Sequence, residues 1–177
     1  MNHQISVKFK SIVVVIILAV FGLLILWEHN NGGVAVHYLL HRADLPGISN
    51  WWGFLLLPIV TIITLFDIEK RQLKNQQETS KTQLKKSLTR FGLATLFGII
   101  TIILFLNESV FLGYLFLALP VLALFIPLYY TEYWLGFVLG TMYGFGVFIP
   151  FIFGALYILI FWILHQIVSW IKGVLKR

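Results

Sequence analysis

The chain has 177 residues, of which 59% are hydrophobic and 11% charged, with a mean hydropathy of +0.91. An average soluble domain carries about 25% charged residues, so a water-soluble reading is excluded and the unit of organisation is the membrane span of about 20 residues. No cysteine is present, which removes disulfides, thiolate metal ligands, iron–sulfur clusters and cysteine nucleophiles together; the formal net charge of +6 is first a matter of topology.

Lys8 and Lys10 precede an apolar run from Ile12 to Trp27. The run is longer than the hydrophobic region of a signal peptide and no A-x-A site follows it, so it reads as an uncleaved first span over 11–27.

Next comes the longest polar interruption of the first half, "EHNNGGVAVHYLLHRADLPGISNWW" over 28–52. Its asparagines and glycines form a turn, and "LPG" at 45–47 ends whatever precedes it. A short amphipathic helix near 34–45 is expected between them. At 100° per residue His41 lies about 40° from His37 and Asp44 about 20° to the other side, so the three share one narrow face. Two imidazoles at i and i+4 hold one divalent ion from a single helix, with the carboxylate as third ligand or orienter. The expected metal set is therefore His37, His41 and Asp44, with Glu28, His29 and Glu108 as auxiliaries on the same side of the membrane. Zinc, copper or another divalent transition metal suits such ligation. The pattern is not the zincin H-E-x-x-H, because residue 38 is Tyr. A plain water-facing polar face, or an acid–base site without metal, is the alternative. Ser49 or Asn50 caps the second span, and Trp51 and Trp52 form an interfacial belt.

The second span is read over 51–66, followed by a basic loop at 67–90 with seven basic and three acidic residues. Its Gln, Lys, Glu and Leu content favours helical extensions of the flanking spans. As a juxtamembrane polybasic segment it marks the cytoplasmic side and attracts anionic lipid at about 1 kcal/mol per basic residue. Docking of a partner protein is the second reading of this loop. Nucleic-acid binding is not expected, since aromatics are not interleaved with the basic residues.

Further spans are read over 91–107, 110–129, 134–149 and 151–171. No Asp, Glu, Lys or Arg falls mid-span, which disfavours a proton pump with a midplane carboxylate. The turn "YYTEYW" at 129–134 has no Lys or Arg, and is re-entrant if the fourth and fifth spans are one broken element. From Trp134 to Ile171 the chain has no Asp, Glu, Lys or Arg; one helix of that length measures about 57 Å, nearly twice the hydrocarbon thickness, so it folds back around "YGFGVFIP". Before that break Gly136, Gly140 and Gly144 recur every four residues, a stripe for close helix packing, a homodimer seam or a permeation path.

With both termini cytoplasmic, every basic residue except Arg42 lies inside, as the positive-inside rule requires. The expected fold is an all-α polytopic transmembrane bundle, a single integral membrane domain over 1–177 with six spans, or four as the fallback. Composition and topology are those of a multi-pass bacterial inner-membrane protein. Three functions compete: a His/His/Asp metal site for metal handling or membrane-embedded hydrolysis, an oligomeric transporter or channel subunit joined through the glycine stripe, and a non-catalytic membrane partner protein.

Overall fold

A computed structural model describes residues 5–38, 44, 46–74 and 80–175. Among them are six α-helices: α1 (Val7–Asn30), α2 (Gly53–Lys74), α3 (Ser80–Leu106), α4 (Phe111–Ala123), α5 (Thr131–Phe145) and α6 (Phe148–Leu175). Helices α1, α3 and α6, and α2 with the 3-10 turn Asn50–Trp52 that leads into it, are long and apolar enough to cross a membrane. The chain is thus a multi-pass, membrane-embedded helical protein. Helices α4 and α5, with 13 and 15 residues, reach only about 20 Å and 22 Å.

One part of the expected fold is replaced. The segment before α2 is an antiparallel pair, β1 (Val36–Tyr38) with β2 (Gly47–Ser49), in which His37 faces Ile48. Its described residues are not helical. The reason lies in the flanks. Val36 and Tyr38 are β-branched and aromatic, and Gly47 has no Cβ where one would press on both their side chains. Asn50 donates its backbone N–H to Ala35 O at 2.9 Å and closes the hairpin onto the start of α2.

The helices share two ends. At the hairpin end, Trp27 of α1 meets the Tyr143 ring of α5, Phe105 of α3 meets Phe145 of α5, and Trp52 meets Phe148 of α6. At the opposite, basic end, Lys10 of α1 pairs with Glu69 of α2 at 2.5 Å and lies over the Phe66 ring. Ser6 caps α1 there by accepting the Phe9 N–H. The core between the ends is formed by Phe21 and Ile25 of α1, Leu56 and Leu57 of α2, Val138 of α5, and Val147. Without a hydrophobic drive between helices in lipid, small residues decide how closely they approach. A Cβ on Gly53 would overlap the tip of the Phe21 ring, 2.1 Å from its Cζ.

The tightest pair is α3 with α5. Gly136 and Gly140 face the carbonyls of Phe91 and Thr95, and Gly144 packs on Ile102. Gly98 of α3 completes the contact, since a Cβ there would be 2.9 Å from Gly140 Cα. The glycine stripe is therefore covered within the chain by α3 and is not open to a second copy.

Helix α5 ends at Gly146, whose φ of 67° and ψ of −170° lie in a region essentially restricted to glycine. Helix α6 starts two residues later with Pro150 in its first turn, where the missing N–H has no intrahelical partner to lose. Helix α4 stands at the outside of this arrangement. Its only buried residue is Ala123, while Phe111, Tyr114, Leu117 and Val121 are exposed.

Candidate functional site

At the hairpin end the acidic and imidazole groups separate. Glu28 is buried and faces inward, its carboxylate accepting from Asn50 Nδ2 at 2.8 Å and from the Ala35 backbone N–H at 3.1 Å. Its role is to tie the end of α1 to the hairpin and to α2. His37 packs against Gly146: a Cβ there would lie 2.5 Å from His37 Cδ2 and 3.2 Å from Asn50 Oδ1. His29 and Asp44 are exposed, and Glu108 is exposed in the turn after α3 with φ 49°. His41 lies outside the described residues. The helical register that aligned His37, His41 and Asp44 is absent from the described hairpin, and among the described residues no three His, Cys, Asp or Glu side chains gather as a metal-ligand set.

The basic end holds a group that sequence reasoning passed over. Glu132, in the first turn of α5, is 1% exposed. A carboxylate taken out of water costs several kcal/mol unless it is paired and hydrogen-bonded. Here Arg71 of α2 donates to Glu132 Oε2 at 2.6 Å and Arg90 of α3 reaches Oε1 at 3.5 Å. Both guanidiniums also cover the Tyr130 ring, at 4.4 Å and 3.9 Å from its centroid, a cation–π arrangement that stabilises partly desolvated charge. Asp67 accepts from the Thr131 hydroxyl at 3.0 Å and lies 3.3 Å from Arg71. Thr64 donates to the Thr131 carbonyl at 3.2 Å. The residues 129–134 are thus a polar clasp joining α2, α3 and α5. A sequence signal was present: Glu132 is the lone acid in an aromatic turn without a compensating Lys or Arg, and Arg71 and Arg90 flank the spans on either side.

Between α4 and the rest of the bundle lies a cleft of about 310 Å³. Helix α3 contributes Phe97, α4 Phe116 and Leu119, α5 Trp134, and α6 Tyr157 and Ile158. The indole N–H of Trp134 is already donated to Phe151 O at 3.0 Å. Gly154 leaves room for that indole, since a Cβ there would overlap it. Among the described residues the walls carry no charged side chain, so what they offer is dispersion contact and exclusion of water. Nothing in the spacing of residues marks this cleft in the sequence, because its walls come from four helices and its width from the loose seating of α4.

Compared with models of protein families, with curated proteins and with solved structures, the chain matches none.

Proposed function

We propose that the protein crosses a bacterial inner membrane six times with both termini cytoplasmic, and that it binds the hydrocarbon chain of a membrane amphiphile between α4 and the α3/α5/α6 wall. Support for six crossings comes from the ends of the short helices. α5 starts at Arg71 and Arg90 and finishes at His37 and Asn50, so it runs between the same two levels as α1, α2, α3 and α6. α4 with residues 124–130 makes the opposite passage. Twelve of thirteen basic residues then face the cytoplasm, in keeping with the positive-inside rule.

The observation that carries the binding reading is the cleft itself. An apolar cavity of about 310 Å³ beneath an otherwise loosely attached helix is filled at low cost by acyl methylenes, which the surrounding bilayer supplies. Water is a poor occupant of such a space, because it needs two to four polar partners. The test is lipid analysis of protein purified in a neutral detergent. The native chain retains a stoichiometric lipid, and Leu119→Trp, which fills the cleft from α4, loses it. Leu96→Trp, on an exposed face of α3 outside the cleft, retains it. Equal lipid in all three chains, or none in the native chain, overturns the reading.

A further inference from the structure

The hydrocarbon cleft is bounded on one side by a continuous row of rings. Phe137 of α5 meets Phe97 of α3 with centroids 6.1 Å apart, Phe97 meets Phe116 of α4 edge-on at 5.9 Å, and Phe116 stacks on Tyr157 of α6 at 6.1 Å. All four rings line the cleft, and their spacings are those of attractive aromatic pairs. On α3, α4 and α5 the ring is also the lining residue nearest the hairpin end. On α6 Gly154 lies one turn beyond Tyr157, and there the Trp134 indole takes the space. From the row the lining continues toward the basic end, through Leu93, Leu122 and Phe161 to Leu128 and Tyr133. The cleft therefore occupies one half of the bundle and stops at an aromatic layer across its middle. At the helical rise, Phe97 is about 10 Å along α3 from Arg90 and about 14 Å from Leu106.

We infer that the occupant is an amphiphile of the cytoplasmic leaflet, seated with the methyl end of its acyl chain against Phe97, Phe116 and Phe137 and its polar head at the level of Leu128 and Tyr133. This rests on the hydrocarbon reading of the cleft and on the orientation proposed with it. Two arguments fix the direction. A headgroup placed at the aromatic layer sits near the bilayer middle, where polar groups lose their water and are strongly disfavoured. At the other end it lies where α5 begins and Arg90 approaches Glu132, beside the aqueous interface. The second argument is depth. One leaflet of hydrocarbon is about 15 Å thick, which matches the half of the bundle that the cleft occupies. A lipid of the opposite leaflet has to pass through the row of rings to enter. The layer thus selects the leaflet and limits how far a chain penetrates.

Photo-crosslinking tests this. The full chain is reconstituted in phosphatidylcholine vesicles containing one of two diazirine phosphatidylcholines, labelled either at the methyl end of the acyl chain or beside its carbonyl. Labelled residues are mapped by peptide mass spectrometry. The methyl-end probe is expected to mark Phe97, Phe116 and Phe137, and the carbonyl-side probe Leu128, Tyr133 and Phe161. In Phe116→Ala, which opens the row on the α4 side, methyl-end labelling is expected to shift to Thr101, one turn beyond Phe97 on α3. Carbonyl-side labelling stays where it was in that variant and reports that the fold is retained. Exchange of the two patterns means entry from the opposite leaflet and overturns the inference while the hydrocarbon reading of the cleft stands. Labelling by both probes without order, or methyl-end labelling that does not move in Phe116→Ala, overturns it in the same way. If neither probe marks the cleft while the exposed Leu117 and Val121 of α4 are labelled, the hydrocarbon reading falls and the inference with it.

Discussion

Arg71 at the end of α2 donates to Glu132 at the start of α5 across 2.6 Å and 61 positions of sequence. This bond connects two helices at a level where a bare carboxylate is unstable. Breaking one side of a buried pair leaves an uncompensated charge and costs about 3–5 kcal/mol. Because Arg71 keeps a quarter of its side-chain surface exposed, the Arg71→Ala cost lies at or below the lower end of that range. Glu132→Ala, which removes the carboxylate shared by Arg71 and Arg90 and leaves Arg71 only Asp67, costs more. Thermal unfolding in detergent, read as a double-mutant cycle, should show the two changes to be strongly non-additive; additive losses would mean that the pair does not act as a unit.

The seam between α3 and α5 makes a sharper contrast within a single residue type. Gly140→Ala places a methyl group against the Thr95 carbonyl and the Gly98 backbone, so α3 must move away and the chain loses stability. Gly92→Ala, on an open face of α3 with nothing within 4 Å of the new Cβ, gains up to about 1 kcal/mol from helix propensity. Melting temperatures of the two variants should move in opposite directions.

Gly146 is the hinge point at the hairpin end. Gly146→Ala suffers twice, from its φ of 67° and from contact with the His37 ring at 2.5 Å. Backbone strain of that type is worth about 1–3 kcal/mol. Hydrogen exchange should show faster opening of the hairpin and of the first turn of α6, with the Arg71–Glu132 end little affected. Uniform loss of protection along all helices would show that the two ends do not open separately.

The number of crossings has a direct test, since the chain has no cysteine and single thiols report without background. Glu108→Cys is expected to react with an impermeant maleimide from the extracytoplasmic side. Lys81→Cys and Pro127→Cys are expected to react only after the cytoplasmic face is opened. Extracytoplasmic labelling of Pro127→Cys would contradict the six-crossing account and leave α4 and α5 as an element that does not traverse.

Much of the fold is legible in the sequence for a simple reason: α1, α2, α3 and α6 are long apolar runs whose ends carry caps, charges or glycine. The break at Gly146 follows from length alone, since 134–171 is too long for one crossing. The hairpin was not legible. Strands of three residues have almost no periodicity, and "HYLLHRAD" fits a helical wheel whether or not it forms a helix. Its pairing depends on Gly47, nine residues from Tyr38 and significant only once the two are adjacent. Glu132 was overlooked for a related reason. Its partners lie 61 and 42 positions away, and charge at a span boundary reads as solvated until a fold encloses it. The candidate cleft has walls from four helices, so no local pattern encodes it.

Entry of a hydrocarbon chain between α4 and the bundle can be read at Trp134, in the cleft wall. With Trp27, Trp51, Trp52, Trp162 and Trp170 changed to Phe, the remaining indole is titrated in neutral detergent with phosphatidylcholine brominated at mid-chain. A single cleft gives saturable fluorescence quenching at about one lipid per protein, lost in Leu119→Phe. Quenching that never saturates, or that survives filling of the cleft, would contradict it.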